Sequence, residues 1–112
     1  MLFRSGCAPL GVEVVALPNR NQKVDLPKML EELARRGINE LHVEAGFRLN
    51  GSMVREGCVD EFLVYLNPSF LGDAAQGMLD LPAMASLDER LRLQTLSVER
   101  LGEDLRILAR PA

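Results

Sequence analysis

The chain has 112 residues, of which 47% are hydrophobic and 26% charged, and its formal net charge is −3. This composition is typical of one globular domain or a piece of one, and it excludes an intrinsically disordered chain. Aromatic residues make up only 4% of the sequence and the arginines are scattered. We therefore expect no nucleic-acid partner, which needs a basic patch and stacking side chains. No window has the roughly 18 consecutive apolar residues of a membrane helix, so we also expect no membrane contact.

The N-terminal apolar run is too short for a signal peptide. We interpret residues 1–11 as disordered or left by cloning or truncation, and residues 12–112 as the folded part. Cys7 and Cys58 have no further Cys or His at ligand spacing, so we expect no metal site. We expect both thiols to be reduced, small packing groups in a cytoplasmic protein.

The first half of the folded part predicts a β-α-β unit. The β-branched run 12–17 predicts a strand, and a polar loop follows it. A helix is predicted after the N-cap Asp25 and before Gly37, with an apolar stripe of Leu26, Met29, Leu30, Leu33 and Ala34. The run 38–43 predicts a second strand. Because a helix separates these two strands, we expect them to be parallel, with a right-handed crossover.

The second half predicts one more helix, one more strand and a hairpin. The helix spans 47–56, with Leu49, Met53 and Val54 facing inward, and the strand 61–66 is apolar enough to be central. After the strand, we expect a loop at 69–81 that is mobile or partly helical, and then an irregular stretch at 82–87 before the hairpin. The hairpin pairs 92–101 with 105–110, and its imperfect alternation predicts a bulge. The predicted fold class is α/β: β-α-β-α-β with a mostly parallel sheet and a C-terminal antiparallel hairpin.

The strand, turn and helix start within residues 38–52 are typical of a phosphate site. A helix N-terminus leaves backbone N–H groups unpaired and carries the positive end of the helix dipole. Gly46 and Gly51 would let the backbone approach a ligand. Their spacing fits neither G-x-G-x-x-G nor the G-x-x-x-x-G-K-[ST] loop. An ordinary strand-to-helix turn therefore stays open as the alternative.

A series of short motifs, read in order, resembles a known family. The chain is similar to the C-terminal part of the riboflavin-biosynthesis reductase domain, the dihydrofolate-reductase-like half of the bifunctional deaminase/reductase. The resemblance runs from about Val12 to Gly72. The motifs that carry it are Asp25-Leu26-Pro27, residues 30–41, Val43-Glu44-Ala45-Gly46, Leu49-Asn50-Gly51, Val59-Asp60-Glu61, Asn67-Pro68 and Leu71-Gly72.

The resemblance implies an NADPH-dependent oxidoreductase that reduces 5-amino-6-(5-phosphoribosylamino)uracil to the ribitylamino product, by hydride transfer to C1 of the opened sugar. It implies that residues 12–112 are a partial dihydrofolate-reductase-like domain of a cytoplasmic homo-oligomer, such as a dimer. Glu44 would contact the sugar hydroxyls of the phosphorylated pyrimidine substrate. The residues that would line the NADPH phosphates are Gly46, Phe47, Arg48, Leu49, Asn50, Gly51 and Ser52. No catalytic proton donor is identified.

Several alternatives remain open at individual residues. By position alone, Glu44 is either a ligand contact or a solvated acid at a strand end. Members of the family generally have proline and a small residue where this chain has Phe47 and Arg48. Arg48 would either pair with a cofactor phosphate or be a solvated charge. His42 and Glu44 match the H-x-E of zinc deaminases, but the sequence has no P-C-x-x-C, so we expect a structural histidine.

Two other functions are compatible with the sequence. The chain would be an inactive folded remnant that dimerises or binds a ligand, if the part of the fold that is absent from it is essential. Alternatively, it would belong to a related reductase of the same fold that acts on pterin-like substrates. An upstream H-x-E and P-C-x-x-C in the gene would favour the active bifunctional enzyme over the remnant.

Overall fold

The computed structural model describes residues 11–112. Of the N-terminal segment 1–11, which is predicted to be disordered, only residue 11 is described, and Cys7 lies outside the described residues. The chain divides after Val43 into two compact units, which are described separately. No helix within residues 11–112 is long and apolar enough to span a membrane.

The helix of the first unit, α1, spans Leu26–Arg35 as the sequence predicts. The Asp25 side chain caps it by accepting a hydrogen bond from the Lys28 amide at 3.0 Å. Leu26 is 4% exposed, which makes it the most buried residue of this helix. The helix closes at Arg36, and Gly37 follows with φ of 87°. The capping and stop signals in the sequence were therefore sufficient to define α1.

The polar loop before α1 is a tight turn. Pro18 and Val24 form an isolated antiparallel bridge. Within the turn, the Asn19 amide donates to the Lys23 carbonyl at 2.7 Å, and Asn19 Oδ1 accepts from the amides of Asn21 and Lys23. An Asn side chain commonly replaces a backbone acceptor in this way. The predicted loop is confirmed, with more internal order than its composition indicated.

The predicted parallel pair is wrong for this structure. Residues 12–17 and 38–43 form no strand, and within residues 11–112 every paired strand is antiparallel. Ile38 and Leu41 remain 41% and 44% exposed. A run of apolar, β-branched residues favours an extended backbone, but a strand also needs a neighbouring backbone to hydrogen-bond with. The sequence pattern does not reveal whether that neighbour is present.

Ion pairs join the end of α1 to the segment before it. The Arg36 guanidinium donates two hydrogen bonds of 2.7 Å to the Glu13 carboxylate and one of 3.0 Å to Glu32. Arg35 also donates to Glu32. These contacts hold the pKa of both carboxyl groups below the ordinary value: hydrogen bonding to Arg36 is the main cause at Glu13, and hydrogen bonding to Arg35 at Glu32.

The second unit contains helix α2 and a three-stranded antiparallel sheet. Helix α2 spans Phe47–Arg55 and is followed by Gly57 with φ of 67°, as predicted. The strands are β1 (Phe62–Leu66), β2 (Leu93–Leu101) and β3 (Asp104–Pro111), in the order β1-β3-β2. A short 3-10 helix, Leu87–Glu89, lies before β2; the sequence analysis missed it because Leu87 ended a stretch read as irregular.

The hairpin prediction is confirmed, and the predicted position of β1 is wrong. The register of β2 against β3 shifts between Thr95 and Ser97, which is the expected bulge. The central strand is β3, so β1 lies at an edge of the sheet. Apolar content alone did not distinguish the two positions, because β1 is as apolar as a central strand.

Apolar burial is sparse in residues 11–112. The buried apolar residues are Leu26, Met53 and Ala109. Of the α2 residues expected to face inward, Met53 is 5% exposed but Leu49 is 46% exposed, which corrects the prediction for Leu49. Leu49 lies in the first turn of α2, where no element of this unit covers its side chain.

Candidate functional site

The start of α2 presents backbone donors. Gly46 is the N-cap, with φ of −83° and ψ of 177°, and it has no side chain to cap the helix. The first helical residues are Phe47, Arg48 and Leu49. Their N–H groups have no helix carbonyl four residues earlier to donate to. Among the described residues, none accepts a hydrogen bond from these three amides. Together with the helix dipole, they form an arrangement that favours an anion.

Asn50 fixes the turn that leads into this helix. Its side-chain amide donates to the Ala45 carbonyl at 2.8 Å, and its backbone amide donates to the Gly46 carbonyl at 3.1 Å. The side chain is partly buried. Asn50 was predicted as a cofactor contact; in this structure its amide nitrogen contacts the chain itself, which keeps the Gly46 turn in place.

Gly51 is buried against another part of the same unit. A Cβ at this position would lie 2.7 Å from the Asp80 nitrogen and 2.9 Å from the Asp80 carbonyl carbon. These distances are too short for any side chain. The sequence analysis predicts that Gly51 lets the backbone approach a ligand; in this structure the Asp80 backbone lies against this glycine.

Ser52 lies one turn further along α2 and its hydroxyl is already used. It donates to the Arg48 carbonyl at 3.1 Å and accepts from the Arg55 guanidinium at 2.8 Å. A hydroxyl has a single proton to donate. Ser52 therefore has no donor left for a phosphate in this conformation.

Two charged residues of the prediction lie near the N-terminus of α2. Glu44 is exposed and precedes the N-cap Gly46 by two residues, and Arg48 is the second residue of the helix and is also exposed. Both side chains are thus accessible to a small molecule. Residues 11–112 contain no group of three His, Cys, Asp or Glu side chains suited to a metal ion.

The structure adds two residues that the sequence analysis did not select. Asp80 donates its backbone N–H to the Phe47 carbonyl at 3.1 Å, and Arg55 donates to the Asp80 carbonyl. Each contact joins residues at least 25 positions apart, so no local motif could have indicated it. An open pocket of about 390 Å³ lies elsewhere, lined by Val54 near the end of α2, by Gly57 after it, and by residues such as Arg110. It does not include any predicted site residue.

The chain matches known proteins along most of its length. The family model for the RibD C-terminal domain matches residues 4–107. Riboflavin biosynthesis protein RibD of Haemophilus influenzae is 35% identical over 99 residues, which are 88% of this chain and 26% of that protein. The 5-amino-6-(5-phosphoribosylamino)uracil reductase of Buchnera aphidicola subsp. Acyrthosiphon pisum is 25% identical over 93 residues, 83% of this chain and 45% of that protein.

The fold is shared as well. The structure of Acinetobacter baumannii RibD, form 2, superposes with a TM-score of 0.86 and 28% sequence identity, covering 99% of this chain and 30% of that one. The chain thus spans between about a quarter and a half of the length of these relatives. Because the family match covers nearly all of its residues, the chain belongs to the RibD C-terminal domain family.

Proposed function

We propose that this chain is part of an NADPH-dependent reductase of riboflavin biosynthesis. Its substrate would be 5-amino-6-(5-phosphoribosylamino)uracil, the compound named in the Buchnera relative. Membership of the RibD C-terminal domain family supports the reaction class. The observation that carries the cofactor assignment is the start of α2, which has a glycine at the N-cap and three amides from which no described residue accepts a hydrogen bond.

The residues at this start suit a phosphate group of NADPH. Among residues 11–112, apart from its chain neighbours, no atom lies within 4 Å of where a Gly46 Cβ would be, which leaves room for a phosphate to approach the backbone. The amides of Phe47, Arg48 and Leu49 would donate to its oxygens, and the exposed Arg48 guanidinium adds a positive charge. When bound, the nicotinamide supplies the hydride, and the protein binds and orients it.

The roles of the predicted site residues divide in two. Gly46, Phe47, Arg48 and Leu49 would touch the cofactor, whereas Asn50, Gly51 and Ser52 would support them through contacts within the chain. Glu44 would accept hydrogen bonds from the sugar hydroxyls of the substrate. A carboxylate is a strong acceptor for hydroxyl groups, and this one is exposed just before the Gly46 turn.

Calorimetric titration of the chain with NADPH tests the cofactor assignment. Gly46→Val adds a side chain whose Cβ meets no described atom within 4 Å beyond its chain neighbours, and this side chain would obstruct an incoming phosphate. We expect affinity to fall at least tenfold, and a smaller loss for Arg48→Ala, which removes one charge. Gly72→Val is the matched control, because Gly72 also faces open space.

Two outcomes contradict the assignment. Equal NADPH affinity of the wild-type and Gly46→Val chains would show that the cofactor does not use the start of α2. Absence of NADPH binding to a chain whose circular dichroism shows folded helices would favour the second candidate, a folded remnant that acts as a dimerising or ligand-binding module. The exposed apolar side chains support that candidate.

Further parts of this proposal concern the complete protein. We propose a homo-oligomer in the cytoplasm, because an exposed sheet edge such as β1 favours association and the relatives are biosynthetic enzymes. The relationship to dihydrofolate reductase belongs to the proposal too. It is supported by the resemblance in sequence and by the shared RibD fold.

A further inference from the structure

The segment that follows β1 returns to α2 and contacts it along its length. At the first turn, the Phe47 ring lies 3.6 Å from where a Gly77 Cβ would be, and the Phe47 carbonyl accepts from the Asp80 amide at 3.1 Å. In the middle, Gly51 packs directly on the Asp80 backbone. At the last turn, Arg55 donates to the Asp80 carbonyl. We name these five residues, Phe47, Gly51, Arg55, Gly77 and Asp80, the α2 clasp.

The clasp explains why α2 contains Gly51, a residue that lowers the stability of a helix. Glycine within a helix is about 1 kcal/mol less favourable than alanine. At Gly51 only the absence of a side chain lets the Asp80 backbone reach the helix, because any Cβ would overlap it. The contacts made by Asp80 therefore depend on a glycine at this position.

The clasp also contacts the first turn of α2. The Phe47 carbonyl and the Phe47 amide belong to the same residue, and the amide is one of the three unbonded donors. Arg55 adds a second connection, because it donates both to Asp80 and to Ser52, whose hydroxyl donates to the Arg48 carbonyl. Two of the three donor residues are thus tied to the Asp80 segment through their carbonyl groups.

We propose that Gly51, Arg55 and the Asp80 backbone are positioning residues: they hold the first turn of α2 so that its free amides converge on one phosphate group. This inference rests on the proposed cofactor site. The cofactor site consists of residues that would touch NADPH, whereas this inference assigns a role to residues that do not touch it. Preorganised donors bind an anion more tightly because no ordering is needed on binding.

The test uses the whole chain with Gly51→Ala, Arg55→Ala and Arg55→Lys, and with Arg100→Ala as control. The variant Gly51→Ala improves helix propensity but displaces Asp80. We expect helix content to be kept, the Asp80 and Asn50 amides to exchange hydrogen faster, and NADPH affinity to fall about fivefold, which corresponds to one lost hydrogen bond. Arg55→Ala should give a similar loss. Arg55→Lys, which keeps one donor for Asp80, should recover part of it, and Arg100→Ala should change nothing.

The outcomes separate this inference from the proposed function. Unchanged NADPH affinity in Gly51→Ala, with fast exchange at Asp80, would overturn the inference and leave the cofactor site standing. If the wild-type chain binds no NADPH, the cofactor assignment fails, and the part of the inference that concerns a phosphate fails with it; amide exchange then tests only whether Gly51 and Asp80 hold the first turn. Faster exchange at Asn50 in Gly51→Ala would then support the positioning of the first turn, and unchanged exchange would overturn it.

Discussion

Asn50 and Ser52 show that a residue type within a motif does not define its role. Both carry the polar groups expected of a phosphate contact, and both use them inside the chain: Asn50 on the Ala45 carbonyl and Ser52 on the Arg48 carbonyl. Asn50 reaches back to the residue before the N-cap, and Ser52 bonds to the preceding turn of α2, so backbone carbonyls take the place of a ligand. Apart from the Arg48 side chain, the donors at the start of α2 are backbone amides, which residue type does not distinguish.

Gly102 is a residue whose role follows from its backbone conformation. It is the first of two residues between the paired Leu101 and Asp104, with φ of 61°. Only the first turn residue has a positive φ, which is the pattern of a type II′ turn with glycine in first place. We expect Gly102→Ala to destabilise the hairpin by about 1–2 kcal/mol.

Chemical denaturation measures the effect of Gly102→Ala. Gly72→Ala serves as control, because Gly72 has ordinary backbone angles and open space around it. Equal stability of the two variants would show that the turn accommodates a side chain at Gly102.

At the scale of elements, the two helices were predictable because their signals are local. The cap Asp25, the proline after it and the terminal Gly37 all act within one turn of α1. The strands needed partners from elsewhere in the chain. Thus β1, whose five residues are all apolar or aromatic, is expected at the centre of the sheet and lies at its edge.

The ion pairs of α1 predict a dependence on pH. The folded pKa values of Glu13 and Glu32 lie below the ordinary value of 4.5, so both carboxylates stabilise the folded state above that value. This stabilisation is lost as pH falls through 4.5 toward the folded pKa values, where the carboxylates become protonated. Glu13 and both arginines are exposed and Glu32 is partly exposed, so we expect a small effect that salt weakens further.

Circular dichroism between neutral pH and about pH 3 measures this dependence. The variant Glu13→Gln should reduce the loss of helix on acidification, since it removes one of the titrating partners of Arg36. Glu31→Gln, on the same helix, is the control. An acid profile of Glu13→Gln identical to that of the wild type would contradict the role of the Glu13–Arg36 pair.

For the whole chain, the important feature is the amount of apolar surface that stays exposed. Tyr65 on β1 is 60% exposed and Val98 on β2 is 57% exposed, and both strands are edges of the sheet. An apolar edge strand offers unpaired backbone groups to another chain. We expect the isolated chain to self-associate as its concentration rises.

Sedimentation velocity at increasing concentration detects this association. The variant Tyr65→Lys places a charge on the β1 edge and should shift the distribution toward monomer. Gln76→Lys adds the same charge in an exposed loop and should leave association unchanged. A wild-type chain that stays monomeric throughout would refute the expectation. Equal association of the two lysine variants would show that the β1 edge is not the contact.

The sequence by itself determined the helices, the hairpin with its bulge, and the family. These depend on caps, turn residues and short motifs whose information lies within a few positions of each other. The tertiary structure alone decided that β1 pairs with β3, that β3 is central, and that Gly51 faces the backbone of Asp80. The physical reason is that pairing and close packing depend on a partner distant in the chain, and a local pattern of apolar or glycine residues does not specify which partner that is.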